Sequence, residues 1–285
     1  MKGLYLKYPT AARFILAVLL GVAALVLTGL IGKFLPVPFI DVALLLLATW
    51  ILYRTDGKSL NALGLNITIR HLLFLVLGLV IGITALGVET FFRTIYTGEH
   101  WSVSSSINQV ALWKGLYFIL PSIVVQELMF RGYLFTKTIE VTNVVTANII
   151  FSILFMLVHV IDRDVLQNMG EVIFLAVSIP VGHLLFASAL LKSKTLYFPI
   201  GLHWGNNWAS SYLIGYGKKE NVIFYLDNQH VFTTWQPFII MLLIFNFSFL
   251  LVTFVIWKWN PLFFKRAVLP IPAFRKTRPK EDRLD

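Results

Sequence analysis

Three apolar stretches of this sequence carry polar side chains that could do chemistry together. Glu127 and Arg131 are four residues apart in one stretch. His203 and Asn207 repeat that spacing in another stretch, and His159 lies in a stretch between them. Residues four apart share one face of a helix. A carboxylate, two imidazoles and an amide that converge in a partly dry pocket are the groups needed to activate a water molecule and to stabilise an oxyanion.

Each of these groups also has a simpler structural interpretation. Glu127 and Arg131 alone are typical of a buried ion pair, and His159 alone is typical of an interhelical hydrogen bond. Phe155 precedes His159 by four residues and would pack beside the imidazole. His203 could be an interfacial residue. The occurrence of three patterned faces in nearly successive stretches favours a shared site.

Two further polar features are expected to be structural. His183 lies in an apolar stretch and has no patterned partner. Glu89 and Arg93 repeat the spacing of an acid and a base four residues apart, near the end of another stretch. We predict that they form an ion pair at the membrane interface.

The composition indicates what must position these groups. The chain has 285 residues, of which 58% are hydrophobic and 13% are charged, whereas an ordinary soluble domain has about 25% charged residues. So little charge excludes a disordered chain and argues against a soluble enzyme. The net charge of +10 would suggest nucleic acid in a soluble protein, but in an apolar chain it points to a membrane, so no nucleic-acid partner is expected. The chain lacks cysteine, which excludes a disulfide, a thiolate metal site and a cysteine nucleophile.

The apolar stretches predict the fold class. A helix needs about 20 mostly apolar residues to cross a bilayer. We therefore predict an all-α fold, a polytopic membrane helical bundle of about eight transmembrane helices. Charged groups at bilayer depth cost about 2.5–3.5 kcal/mol on insertion scales, so the polar faces must turn toward each other or toward a wet cavity. The predicted spans are 14–32, 37–53, 71–92, 112–135, 143–161, 171–191, 196–213 and 236–257.

The basic residues predict the orientation. Eight spans place both termini on one side, and 17 of the 24 Lys and Arg residues then lie on that side, against four on the other. Under the positive-inside rule that side is the cytoplasm. We expect a first span that is retained and a basic C-terminal tail that anchors the topology beside anionic lipid.

At this point the sequence resembles the CPBP intramembrane proteases, which include the CAAX prenyl protease (Rce1) type and the bacterial abortive-infection and bacteriocin-immunity type. The family carries Glu-Glu-x-x-x-Arg, Phe-x-x-x-His and His-x-x-x-Asn, each on its own transmembrane helix. Here the motifs end at Arg131, His159 and Asn207, and the resemblance covers about residues 110–215. One position departs from the pattern, because Gln126 stands where the family has its first Glu.

The resemblance implies a mechanism in which water attacks a peptide carbonyl. Glu127, in place of the missing carboxylate, or His159 would take the proton. His203 and Asn207 would hold the water or the oxyanion, and Arg131 would orient the carboxylate.

The resemblance leaves the cofactor open between zinc and none. The family is often called a metalloprotease, and it has also been described as a metal-independent glutamate protease. Glu127, His159 and His203 could form a three-ligand site with an open position for water. Because these ligands come from three helices, their sequence spacing does not test the metal.

The resemblance also divides the chain and places it. We expect N-terminal transmembrane helices over residues 1–110, a CPBP-like protease core over 111–215, and a loop, the last transmembrane helix and the basic tail over 216–285. The short loops resemble bacterial members, so we expect an integral protein of a bacterial plasma membrane with both termini cytoplasmic. Its expected partners are the lipid bilayer and a membrane-associated peptide or protein substrate, in peptide maturation or bacteriocin immunity.

Three functions follow as hypotheses. The first is an intramembrane endopeptidase. The second is a pseudoprotease that serves as a membrane scaffold or as an immunity or partner-binding protein, because the amide of Gln126 does not accept a proton usefully. The third is a small transporter, motivated by the span count and the intramembrane ionisable groups, although no internal symmetry supports it.

Overall fold

A computed structural model describes residues 8–35, 37–216, 221–227 and 234–259, and it is 80% helical. The basic tail beyond Trp259 and four of the bases counted above (Lys2, Lys7, Lys218 and Lys219) lie outside the described residues. The helices are α1 (Pro9–Phe34), α2 (Ile40–Thr55), α3 (Ile69–Thr97), α4 (Gln109–Phe130), α5 (Tyr133–Val141), α6 (Val144–Val160), α7 (Arg163–Leu166), α8 (Met169–Ser193), α9 (Tyr197–Trp208) and α10 (Trp235–Lys258).

The prediction of an all-α polytopic membrane protein is confirmed. Among the described residues, five helical segments are long and apolar enough to cross a membrane, namely α1, α3, α4 with α5, α8 and α10. α6 is apolar but has only 17 residues, α2 has 16 and α9 has 12. Every predicted span overlaps one or two of these helices, but the count of eight crossings stays a prediction.

The fourth predicted span is broken within its length. α4 ends at Phe130, and after Arg131 and Gly132 the chain starts again as α5. A Cβ on Gly132 would lie 2.0 Å from the carbonyl oxygen of Leu128, far inside any real contact, so the backbone path at the break requires glycine. Glu127 therefore lies in the last turn of α4, directly before the break.

α3 and α9 approach each other backbone to backbone. A Cβ on Gly82 would lie 2.1 Å from the carbonyl oxygen of Leu202, and one on Gly205 would lie 2.1 Å from that of Leu79. Small residues at an interface are the usual means by which membrane helices pack this closely. Each helix carries two such glycines four residues apart, Gly78 and Gly82 in α3 and Gly201 and Gly205 in α9.

A three-stranded sheet, which the sequence analysis did not predict, lies where α3 ends and α9 is continued. The strands are β1 (His100–Val103), β2 (Ile214–Tyr216) and β3 (Phe224–Asp227). β3 is central, antiparallel to β1 and parallel to β2. A π-helical turn, Ala209–Leu213, joins α9 to β2, so the predicted span 196–213 includes an α-helix and this turn.

The charges of the described residues separate between the two ends of the bundle. The basic end, where α1, α3 and α9 begin and α2, α5, α8 and α10 finish, carries Arg13, Arg54, Lys58, Arg70, Lys137, Lys192, Lys194 and Lys258, with only the acids Asp56 and Glu140. The opposite end carries the acids Asp41, Glu89, Glu99, Asp162, Asp164, Glu171 and Asp227, with the bases Lys33, Arg93, Lys114 and Arg163. This asymmetry in space is of the kind that the positive-inside rule describes.

An ion-pair network joins α1, α2 and α5 at the basic end. Arg13 Nε lies 2.7 Å from Asp56 Oδ1, and Lys137 Nζ lies 2.8 Å from Asp56 Oδ2. Lys137 also lies 3.0 Å from Glu140, which pairs in addition with Lys58. The network therefore ties the helix after the α4 break to the N-terminal helices.

The charge of Asp56 is stabilised by this network. Burial raises the pKa of Asp56, but the hydrogen bond and charge of Lys137, the hydrogen bond from Tyr133 and the charge of Arg13 together outweigh burial, so the pKa is lower than the ordinary value of 3.8. The carboxylate is thus a stabilising anion within the network.

Candidate functional site

Glu127 and Arg131 form a completely buried pair at the end of α4. Arg131 Nη1 lies 3.3 Å from Glu127 Oε1, and both side chains are 0% exposed. The pairing predicted from their spacing is therefore confirmed. Arg131 is also the C-terminal cap of α4, and its backbone N–H donates to the carbonyl oxygen of Glu127. A cation at a helix C-terminus is favoured by the helix dipole.

His203 reaches the same carboxylate from α9. Its Nδ1 lies 2.8 Å from Glu127 Oε1, and the residue is 5% exposed. A carboxylate accepts hydrogen bonds, so Nδ1 carries the hydrogen and donates it. The Nε2 of a neutral His203 is then a hydrogen-bond acceptor. The structure thus brings together residues that are 76 positions apart in the chain.

Two tryptophans hold α9 against α4. Trp204 Nε1 donates to the carbonyl oxygen of Leu116 at 2.8 Å, and Trp208 Nε1 donates to that of Leu112 at 3.0 Å. The two indoles are four residues apart, so they contact successive turns of α4. They fix the register that sets His203 opposite Glu127, a role that their positions in the sequence do not reveal.

Two phenylalanines enclose the pair of charges. The guanidinium carbon of Arg131 lies 4.3 Å from the ring centre of Phe155 and 5.0 Å from that of Phe186. Phe186 of α8 also stacks on the imidazole of His203, with ring centroids 4.6 Å apart at 17°. These faces provide cation–π contacts in a desolvated setting. Phe186 was missed because one apolar residue in an apolar span gives no signal.

His159 lies beside this cluster on α6. Its ring is 4.6 Å from that of Phe155, so the predicted packing is confirmed. His159 Nδ1 lies 2.8 Å from the carbonyl oxygen of Phe155, one turn earlier in its own helix. The imidazole is half-buried. Nδ1 donates to that carbonyl, which leaves Nε2 as the acceptor of a neutral His159.

The two predicted amides, Gln126 and Asn207, are near neighbours in sequence of Glu127 and His203 respectively. Asn207 follows His203 by one helical turn and is half-buried. Gln126 precedes Glu127, and its Oε1 is buried with no hydrogen-bond partner among the described residues.

Several buried polar atoms around Glu127 make no hydrogen bond to the described residues. They are Glu127 Oε2, Nε and Nη2 of Arg131, and both ring nitrogens of His183. His183 is 0% exposed and packs edge-on against Phe135. Such atoms are rare in protein interiors. The carboxylate is therefore fixed through Oε1, while Oε2 makes no hydrogen bond to the described residues.

The predicted metal ligands, Glu127, His159 and His203, are not grouped around one point. Within the described parts of the chain, no group of three or more His, Asp or Glu side chains is arranged to hold a metal ion. Glu127 Oε1 is engaged by His203, and His159 Nδ1 by its own helix. As placed, Glu127, His159 and His203 do not form a three-ligand site. Zinc stays a prediction.

The expected pairing of Glu89 with Arg93 differs from what the structure shows. Arg93 forms a two-atom ion pair with Glu99, at 2.6 Å and 2.8 Å. Glu89 accepts from Tyr216 at 2.7 Å and from Thr90 at 3.2 Å. Burial, and after it the charge of Glu89, raises the pKa of Tyr216 well above its ordinary value. The fold brings β2 over Glu89, a long-range contact that local spacing does not reveal.

Comparisons with known proteins support the family indicated by the motifs. Residues 107–209, a little over a third of the chain, match the model of the type II CAAX prenyl endopeptidase Rce1-like family. This segment contains α4 to α9 and every residue of the cluster described above. At family level the match supports an intramembrane peptidase of the CAAX-protease type. Comparisons with curated proteins and with solved structures gave no match.

Proposed function

We propose that the protein is an intramembrane endopeptidase that hydrolyses a peptide bond of a membrane-associated peptide or protein. The observation that carries the proposal is the buried hydrogen bond between Glu127 and His203, within the segment that matches the Rce1-like family. A carboxylate is expensive at bilayer depth. Glu127 lies between Arg131, which caps its own helix, and His203 of α9. This arrangement supports a functional role for the carboxylate.

Glu127 is the general base in this proposal. Arg131 and His203 orient it through Oε1, and Oε2 removes a proton from a water molecule. The hydroxide oxygen bonds to the carbonyl carbon, and the carbonyl electron pair moves to oxygen to give a tetrahedral oxyanion. When the C–N bond breaks, the protonated Glu127 returns the proton to the leaving amine.

Histidines and an amide complete the proposed site. His203 donates from Nδ1 to Glu127 Oε1 and so holds the carboxylate in place while Oε2 takes the proton of the attacking water. The Asn207 side-chain N–H donates to the oxyanion, which is the largest electrostatic contribution in acyl transfer of this kind. His159 Nε2 is the second candidate for the base, because its Nδ1 is already used by Phe155.

The proposal is tested with the full chain in proteoliposomes and a pool of membrane-anchored fluorogenic peptides, with and without a prenyl group. Glu127→Gln keeps an acceptor for His203 but removes the base, so turnover should fall by about 10²–10⁴-fold. Glu171→Gln, an exposed carboxylate at the start of α8, is the matched control and should leave turnover unchanged. Equal cleavage by wild type and by Glu127→Gln, His159→Ala and His203→Ala would sink the assignment.

A catalytically impaired pseudoprotease is the second candidate. Its motivation is Gln126, whose buried Oε1 has no partner among the described residues. Restoring the family carboxylate with Gln126→Glu distinguishes the two candidates. If wild type is inert on every peptide and Gln126→Glu cleaves, the protein is a pseudoprotease. If wild type cleaves, that candidate is excluded.

The proposed orientation keeps both termini in the cytoplasm of a bacterial cell. The charge separation between the two ends of the bundle supports it, since the basic end is the end at which α1 begins and α10 finishes. Cysteines placed at Lys58 and at Asp164 in intact cells test the orientation, because an impermeant maleimide should label only the second. The substrate class consistent with that setting is a peptide that is matured or inactivated at the membrane.

A further inference from the structure

Three lysines at the basic end lack a described counter-ion. Lys192 and Lys194 lie at the C-terminus of α8, and Lys258 is the last residue of α10. All three are exposed, and none has a salt bridge to a carboxylate among the described residues. They are therefore available to an anion from outside the chain.

The acids at this end are already neutralised. Asp56 is paired with Arg13 and Lys137, and Glu140 is paired with Lys137 and Lys58. Two carboxylates thus share three bases in the network between α1, α2 and α5. No described acid at the basic end is left to balance the lysines of α8 and α10.

Contacts between helix ends hold these charges on one surface. Lys192 Nζ lies 5.1 Å from the ring centre of Trp257, which directly precedes Lys258 in α10. Arg70, at the start of α3, donates from Nη2 to the carbonyl oxygen of Ser193 at 3.5 Å. The ends of α3, α8 and α10 therefore meet at the basic end of the bundle.

The lysines repel one another at this surface. Partial desolvation of the ammonium, and after it the positive charge of Lys192, lowers the pKa of Lys194. Lys194 is held in this place by its backbone, since it caps α8 in the left-handed conformation with φ of 61°. An anion between the two amines would relieve the repulsion.

The surroundings identify the kind of anion. α8 and α10 are both long and apolar enough to cross a membrane, so their last turns lie near the level of lipid headgroups. Trp257 is 52% exposed beside Lys192, and tryptophan is enriched at that level in membrane proteins. An occupant must therefore present a negative charge to the lysines and an apolar body to the helix faces below them.

We propose that the surface formed by Lys192, Lys194 and Lys258, with Arg70 beside it, binds the phosphate of an anionic phospholipid headgroup. The lysines contact the phosphate oxygens, and the acyl chains lie along the exposed apolar faces of α8 and α10. The surface joins the ends of α3, α8 and α10, and of these helices α3 and α8 pack against α9. A bound lipid would thus brace the helix that carries His203, without contacting the site itself.

The experiment measures lipid binding by the purified full chain in nanodiscs of phosphatidylcholine, into which phosphatidylglycerol is introduced. Native mass spectrometry of the released protein counts retained phosphatidylglycerol, and the thermal unfolding midpoint is followed in parallel. The variant replaces the three lysines by glutamine. The matched control removes three exposed bases at the opposite end, as Lys33→Gln, Lys114→Gln and Arg163→Gln.

Wild type and control should retain phosphatidylglycerol and unfold at a higher temperature when it is present. A basic residue near an anionic surface contributes roughly fivefold in affinity, so the three-lysine variant should bind about 100-fold more weakly. It should also lose the thermal shift, while its unfolding midpoint in pure phosphatidylcholine stays near that of wild type. The tail beyond Trp259 is the same in all three proteins and cannot produce the difference.

Two results would overturn the proposal. One is that the three-lysine variant keeps the phosphatidylglycerol affinity of wild type, or that the control loses as much of this affinity as the variant does. The other is the same protection of wild type by inorganic phosphate in detergent, at concentrations comparable with the lipid, because the surface would then bind a free ion and not a headgroup.

Discussion

Replacing Gly82 by alanine should separate α9 from α3. The added Cβ would lie 2.1 Å from the carbonyl oxygen of Leu202, whereas ordinary contacts begin at 3.4 Å, so the two backbones must part by about 1.3 Å. Neither partner is a flexible side chain that could turn away. His203 follows Leu202 directly, and its bond to Glu127 is 2.8 Å long, so the same movement disturbs the candidate site.

The cost can be bounded from this geometry. Overpacking of a close-packed interior costs about 1–3 kcal/mol. Alanine is a better helix former than glycine by up to about 1 kcal/mol, which offsets part of that loss. We expect Gly82→Ala to lower the free energy of unfolding by about 1–2 kcal/mol. If the proposed function is right, it should also reduce turnover more than substrate affinity.

Gly87→Ala is the matched control on the same helix. A Cβ on Gly87 meets no atom within 4 Å, so this variant gains helix propensity without a clash. Both variants are unfolded by titration of detergent micelles with SDS and followed by tryptophan fluorescence. If Gly82→Ala is as stable as Gly87→Ala, the close approach of α3 and α9 is not what fixes α9, and the reasoning fails.

Three further predictions concern single contacts. Asp56→Asn should destabilise the fold at neutral pH; because the folded pKa of Asp56 lies below 3.8, the difference from wild type should vanish in acid unfolding curves as the pH falls through that lower value. Phe186→Leu removes the stack on His203 and should cost about 1 kcal/mol in SDS unfolding. Tyr216→Phe deprives buried Glu89 of a donor and should cost about 1–3 kcal/mol in the same assay.

Exposed residues of the same types provide the controls. Phe247 of α10 is 59% exposed and Tyr117 is 48% exposed. Phe247→Leu and Tyr117→Phe should therefore each change the unfolding free energy little. For Asp56→Asn, the control is Asp162→Asn at the opposite end, an exposed side chain. A pH-independent loss in Asp56→Asn, or losses in the controls equal to those in the variants, would contradict the assigned contacts.

Features that depend on local spacing were predictable from the sequence. The pairing of Glu127 with Arg131 and the packing of Phe155 on His159 follow from helical periodicity alone. The helices themselves follow from runs of apolar residues. The motifs also placed the candidate site in the segment that matches the Rce1-like family.

Features that depend on long-range packing were not predictable. The motifs predicted that Glu127 and His203 share a site, but not that His203 Nδ1, 76 residues away in sequence, donates directly to the carboxylate. Phe186, a single apolar residue in an apolar span, carries no signal. Local spacing was misleading at Arg93, which pairs with Glu99 beyond the end of α3. The span at 196–213 contains only a 12-residue α-helix because hydropathy does not register the π-turn that follows.

The break between α4 and α5 has a consequence for how loss-of-function data on this protein are interpreted. A Cβ on Gly132 would lie 2.0 Å from a carbonyl oxygen one turn back, so every substitution there displaces the turn that carries Glu127. In a saturation-mutagenesis screen Gly132 would therefore rank with the reactive residues, although hydrogen is its whole side chain. Measuring the amount of folded protein beside activity distinguishes residues that take part in the chemistry from residues that only shape the chain around it.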